Sequence, residues 1–212
     1  MNERSDEIRT LWSRVCRQSD SKAFELLFSL CYPRLINFCL LYVRRKEPAE
    51  EVVSDVFVKC WLNRENLQEI QNPEVYLFVA VKNQSLNYLK RFSHYHLVSM
   101  GEVDTDDLLN SLYPEKELER RELHFHMNQA IASLPRQCQV IFRLIKEDGM
   151  KYKEVAEILQ ISPRTVQTQL SRAIAKLRHT LRPYLERSSG SFDPIDGIPP
   201  LIIFILIFFT GL

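Results

Sequence analysis

The stretch YKEVAEILQISPRTVQTQLSRAIAKLR, residues 152–178, constrains this chain most, because it spells two helices and the corner between them. Val155 and Leu159 supply an inner face, Ala156 is small enough for two helices to cross closely, and Ile161 plugs the turn. Ser162 can accept from the free N–H groups of a following helix, and Pro163 suits that helix's first position, where no N–H is needed. Val166, Leu170, Ala173, Ile174 and Leu177 then fall on one side, with Gln167, Thr168, Ser171, Arg172 and Lys176 on the other. This is helix-turn-helix chemistry. Gln160 stands where many such turns carry glycine, so the turn must accommodate a side chain. Amides can bond base edges and cations can pair with phosphates, so the polar face, with Arg164 in its first turn, suits DNA. A solvated helix face or a structural corner would look similar, so the rest of the chain has to decide.

That remainder is also helical in pattern. Only 5 glycines occur in 212 residues, strand-like alternation is absent over long stretches, and a hydrophobic content of 45% can fill a core. A first block spans residues 21–93, after a short lead, 1–20. Its first helix, KAFELLFSLCYPRLINFCLLYVRR, is expected to be interrupted at Pro33. Pro48 should open the next, EPAEEVVSDVFVKCWLNR, with Glu50 and Glu51 in the first turn, where the helix dipole favours carboxylates. Val52, Val53, Val56, Phe57, Cys60 and Trp61 recur there as one buried stripe. A third helix, from about Glu74 to Phe92, sets Val75, Phe78, Val79, Leu86 and Leu89 against the core. Its opposite face carries Tyr76, Ala80, Asn83, Asn87, Lys90 and Arg91, a set of aromatic, amide and cationic groups suited to single-stranded nucleic acid.

Between residues 93 and 122 there are 8 acidic and 3 basic residues, a net of −5, while residues 136–187 hold 11 Lys or Arg against 5 Asp or Glu, a net of +6. The formal net charge of +1 therefore hides an acidic linker, 94–118, and a basic second block, 119–187. The expected fold class is all-α: two small helical domains joined by a flexible acidic linker, the second a helix-turn-helix, plus a short hydrophobic tail. Cys16, Cys31, Cys39, Cys60 and Cys138 are odd in number, contain no C-x-x-C pair and follow no signal peptide, which suits reduced thiols in a cytoplasmic protein. His124 and His126 lack the cysteine pair a zinc site would add. With no nucleophile–base pairing and no glycine-rich phosphate loop either, no enzyme, metal or cofactor is expected.

Four segments, PAEEVVSDVFVKCW, NPEVYLFVAVKNQSLNYLKR, LPRQCQVIFRL and the helix-turn-helix above, occur in an order and at separations that resemble the extracytoplasmic-function (ECF) group of bacterial RNA polymerase sigma factors. The resemblance covers roughly residues 20–186 and implies a non-enzymatic initiation factor that binds core RNA polymerase and directs it to promoter DNA. It implies that Glu50, Glu51, Asp55 and Phe57 dock on the polymerase, with Ser54 replacing the group's usual glutamine. It implies that the first domain opens the −10 element through Tyr76, Lys82, Asn83, Asn87, Lys90 and Arg91, with the loop 64–74 completing a pocket for a flipped base. Asn87 stands where many relatives have aspartate. The −35 element would be read by Arg164, Thr165, Gln167, Thr168, Ser171, Arg172 and Lys176, while Gln169 and Ile174 replace two common arginines. An anti-sigma factor, often membrane-spanning, is also implied, as is monomeric action.

The end of the chain, IPPLIIFILIFFTGL (198–212), is uncharged, and at 15 residues it falls short of the roughly 20 a membrane helix needs. Behind a flexible leash from residue 188, it could fold back into a groove, make a weak membrane contact, or act as a degradation or chaperone tag. Two other functions remain compatible with the residues alone: a free-standing helix-turn-helix regulator, and a tail-anchored helical adaptor. The polymerase-docking block separates the first of these from an initiation factor.

Overall fold

The computed structural model describes residues 3–92 and 126–188, with side chains for 3–91 and 126–182. The linker at 94–118 and the tail at 198–212 lie outside the described residues. All regular structure among the described residues is helical. Residues 3–92 with 153–161 form one compact unit, and 126–152 with 162–188 form another.

In the first unit the helices are α1 (Glu3–Gln18), α2 (Ser21–Val43), α3 (Lys46–Leu62) and α4 (Pro73–Phe92), with a single 3-10 turn, Arg64–Leu67, before α4. The segment read as a lead thus supplies a helix. Ile8, Leu11, Trp12, Val15 and Cys16 follow helical spacing and are buried on one face of α1, which packs against α2, α4 and the 3-10 turn. The α1–α2 corner is tight. Ser19 takes a left-handed φ of 51°, and Asp20 caps α2 by accepting from the N–H groups of Lys22 and Ala23, both at 3.0 Å. Arg14 holds the same carboxylate at 2.7 Å.

Pro33 does not interrupt α2, which continues through it for 23 residues. Proline removes the bond to the carbonyl four residues earlier, but Pro33 and Ser29 both lie on the exposed side, where water can take the freed carbonyl. By length and composition α2 could cross a membrane. Here its apolar residues Ala23, Leu27, Cys31, Leu35, Phe38, Cys39 and Val43 are buried as the bundle's central helix, against α1, α3 and α4. Helix α3 starts two residues before Pro48, which still lies in the first turn, where no N–H partner is required. Between them, Phe24, Phe28, Phe57 and Trp61 form an edge-packed aromatic cluster, Phe28 to Phe57 at 4.8 Å and Phe24 to Trp61 at 5.0 Å.

Further along the chain lie a helix described over 126–132 (α5), then α6 (Arg136–Phe142), a π-helical turn Arg143–Glu147, α7 (Tyr152–Leu159), nearly all of which falls in the first unit, and α8 (Pro163–Ser188). On α7 it is Val155, Ala156 and Ile158 that are buried; Leu159 is half-exposed. On α8 Val166, Leu170, Ala173, Leu177 and Leu181 make the buried stripe, with Ile174 at its margin. Gln160 takes a φ of 58°, so the turn does place a side chain in the left-handed conformation that glycine adopts freely. Ser162 Oγ accepts from the Thr165 N–H at 3.0 Å, the cap its position predicts.

Candidate docking and nucleic-acid surfaces

Helix α3 turns one face outward: Glu47, Glu51, Ser54, Asp55, Val58 and Leu62 are all exposed and fall within one arc of the helix. Glu50 is half-exposed at its edge and pairs with Lys46 at 3.9 Å. Asp55 is steadied from α4, where Gln84 donates to it at 3.4 Å and accepts from Lys59 at 3.1 Å. Phe57 is not on this face. It is 2% exposed, with its ring inside the aromatic cluster, so it shapes α3 from within and cannot touch a partner. The apolar groups on the outer face are Val58, 56% exposed, and Leu62, 70% exposed. Exposed apolar residues that continue a line of carboxylates at helical spacing were the available signal for them.

Helix α4 is packed by α1, α2 and α3, so its buried arc is wider than an amphipathic pattern suggests. Val75, Leu77, Phe78, Val81, Lys82 and Ser85 all lie inside, while Leu86, expected in the core, is 39% exposed. Ser85 tolerates burial because its hydroxyl donates to the Val81 carbonyl at 2.7 Å and meets the Cys39 thiol at 3.2 Å. Lys82 is 6% exposed, and burial pulls its ammonium below the usual lysine value. It therefore does not stand on the outer stripe. Asn83, Asn87, Lys90 and Arg91 do, all exposed in a line. Tyr76 is half-buried at the upstream end, edge-on to Trp12 with centroids 5.6 Å apart, and burial raises its phenol pKa. Asn72 starts the helix by accepting from the Val75 N–H at 3.3 Å.

The loop leading into α4 has no buried residue in its 3-10 turn. It is held from outside. The Trp12 indole N–H donates to the Leu67 carbonyl at 3.2 Å, and Arg64 stacks on Trp61 at 4.7 Å while donating to Ser19 Oγ at 2.8 Å.

On α8, Arg164, Gln167, Thr168, Ser171, Arg172 and Lys176 are exposed along one flank, and Thr165 is half-exposed. The hydroxyls of Thr168 and Ser171 donate back to the carbonyls of Arg164 and Gln167 at 2.9 and 3.0 Å, which leaves their lone pairs outward. Lys176 is tied at 2.7 Å to the Ser133 carbonyl, so part of its donor capacity fastens α8 to the α5–α6 corner. Gln169 is half-buried and accepts from the Cys138 thiol at 3.1 Å. Burial pushes that thiol up, against the opposing pull of Arg172 and Lys176. The other four cysteines are also free and buried, with Cys31 and Cys60 pushed up to about 12, values that suit inert packing groups. Among the described residues no group of three or more His, Cys, Asp or Glu could hold a metal ion.

Residues 27–94 match the family described as Sigma-70 region 2, and residues 127–177 match Sigma-70, region 4. Among curated proteins, the RNA polymerase sigma-H factor of Pseudomonas aeruginosa is 23% identical over 86% of this chain and 98% of its own length. The ECF RNA polymerase sigma-E factor of Haemophilus influenzae is 24% identical over 80% of this chain and 93% of its own. Among solved structures, CnrH in complex with the cytosolic domain of CnrY aligns over 83% of this chain and 97% of that one, with a TM-score of 0.56 and 20% identity. The sigma factor RpoE in complex with the anti-sigma factor NepR, from Bartonella quintana, aligns over 76% and 98%, with a TM-score of 0.58 and 21% identity. With both sigma-70 regions present in order, and relatives alike over nearly their whole length, the chain belongs to the sigma-70 family of transcription initiation factors, in its ECF group.

Proposed function

We propose a division of labour for this initiation factor. The outer face of α3 docks on core RNA polymerase, α4 with the loop before it opens the −10 element, and α8 reads the −35 element. The observation that carries this is the α3 face, where Glu51 and Asp55 run into Val58 and Leu62. An isolated operator-binding protein has no use for such a face, whereas a subunit that must seat on a large enzyme does. Glu50 contributes at the margin, and Val58 and Leu62 take the apolar role that Phe57 cannot. Asn83, Asn87, Lys90 and Arg91 supply amides for unstacked bases and cations for phosphates, with Tyr76 at the upstream end. Lys82 supports the helix from inside.

On α8, Arg164, Gln167 and Arg172 reach base edges and phosphates, and Thr165, Thr168 and Ser171 add hydroxyl contacts. Lys176 serves both the fold and the phosphates. Neither DNA surface needs high affinity of its own, because polymerase tethers both and raises their effective concentration. The near-neutral net charge is therefore compatible with promoter binding. No catalytic step belongs to the chain, which acts in the cytoplasm as a monomer. The relatives solved with NepR and CnrY support control by an anti-sigma factor.

The test mixes the purified protein with core polymerase and a promoter library and scores transcripts. Leu62→Glu should weaken polymerase binding. Arg172→Ala should lower use of −35-dependent promoters while leaving polymerase affinity unchanged. No stable complex and no promoter-dependent initiation would sink the proposal.

A further inference from the structure

We propose that α1 is a positioning helix for the loop 64–72, and that the Trp12 indole N–H sets how selectively this loop holds a −10 base. The inference rests on the assignment of that loop to the −10 element. Its basis is a convergence of contacts. Ser5 Oγ donates to Glu74 Oε2 at 3.0 Å, and Arg4 lies 3.8 Å from the same carboxylate. Trp12 donates to the Leu67 carbonyl at 3.2 Å and sets its ring against Tyr76. Ser19, at the exit of α1, receives Arg64 at 2.8 Å. Along 16 residues, α1 is fastened to the loop and to both of its ends.

The loop needs this help. Residues 64–71 are all exposed or half-exposed, so none of their side chains is fully buried to anchor them. Its internal backbone bonds include the Asn66 N–H to the Asn63 carbonyl at 2.9 Å and the Ile70 N–H to the Leu67 carbonyl at 3.3 Å. The Trp12 bond grips the loop by its backbone at the Leu67 carbonyl, which also accepts from Ile70. The exposed side chains of Glu65, Asn66, Gln68 and Glu69 are thereby left to face a ligand, while the backbone is held in place. A pocket that discriminates among bases must hold its donors and acceptors to a fraction of an ångström, whereas overall folding tolerates more. Deleting the N–H while keeping an aromatic ring should therefore damage selectivity before stability.

The experiment uses Trp12→Phe in the full chain, reconstituted with core polymerase on a promoter taken from the library above, with the flipped −10 position varied over all four bases. The polymerase affinity and the protein's thermal melting are measured alongside. Discrimination between the preferred base and the others should fall about five-fold, the equivalent of one lost hydrogen bond, at unchanged polymerase affinity. Ser19→Ala, an exposed change that removes the acceptor of Arg64, should move discrimination the same way by less, which keeps the test valid if Trp12→Phe folds poorly. Asn83→Ala is the control, expected to abolish discrimination. Wild-type discrimination in both the Trp12 and Ser19 variants overturns the role of α1. If Asn83→Ala also leaves it unchanged, the −10 assignment falls with it.

Discussion

Replacing Glu74 should cost the first domain more stability than any exposed charge change. Its side chain is 8% exposed and accepts from Arg34, itself 15% exposed, and from Ser5 at 3.0 Å, with Arg4 at 3.8 Å. The Arg34 guanidinium also lies over the Phe78 ring at 5.4 Å, so it cannot turn out to water without leaving its packing. At about 4 Å and an effective dielectric constant near 20, one such pair is worth roughly 4 kcal/mol, a gain offset by the desolvation of both partners. Removing only the carboxylate forfeits the attraction and keeps the arginine's desolvation, so Glu74→Ala should cost about 3–5 kcal/mol. A small domain has about 5–15 kcal/mol in total, so the loss is a large fraction. The midpoint of thermal unfolding should drop by at least 10 °C or so. Both tryptophans, Trp12 and Trp61, lie in this domain, so their fluorescence in urea reports its unfolding selectively. Arg34→Met combined with Glu74→Leu, which removes the pair together, should recover most of the loss. A Glu74→Ala domain within about 0.5 kcal/mol of wild type would refute this account, because it would make the cluster an ordinary solvated surface pair.

At the helix-turn-helix corner, Gln160→Gly should raise stability by up to about 1 kcal/mol by relieving the left-handed backbone, and Gln160→Val should lower it by about 1–2 kcal/mol, both followed by circular dichroism melting. The cap bond from Ala23 and the Arg14 guanidinium hold Asp20 below the usual aspartate range. A depressed folded value means its contribution is full above about pH 4 and lost as pH falls through the folded value. Urea melts between pH 3 and pH 6 should therefore show a flatter acid limb for Asp20→Asn than for wild type. On α4, Lys82→Met should leave promoter melting within a factor of about two, as expected for a residue that does not face DNA. Asn83→Ala should abolish it, as read by permanganate reactivity of the −10 strand.

Local chemistry was the legible part of the sequence. Ser162 and Pro163 announce a helix start that depends only on their own side chains, and the structure has that cap. Gln160 announces strain for the same reason. What needed three dimensions was harder to see. Pro33 reads as a break until it and Ser29 are seen to lie on the exposed side of α2. Lys82 reads as outward because lysine usually is, yet α4 has neighbours on three sides and buries it. Phe57 belongs to a motif associated with docking, but the motif preserves an aromatic core as well as a surface. Helix α1 carries the spacing Ile8, Leu11, Trp12, Val15 and Cys16, although its charged composition conceals it. Its polar partners in the loop and α4 lie 45 to 70 residues downstream, and no local pattern points there.

Those separations have a consequence for synthesis. Translation delivers α1 before its anchors at Arg64, Leu67 and Glu74, which leave the ribosome only many residues later. During that interval α2 can already pack on α1, but the part of the α1 stripe that meets the 3-10 turn and α4, Trp12 among it, has no cover. Until the fourth helix emerges, a growing chain therefore exposes apolar surface of the kind that chaperones cover. Truncation anywhere before residue 74 removes the Glu74 anchor and leaves part of that stripe uncovered.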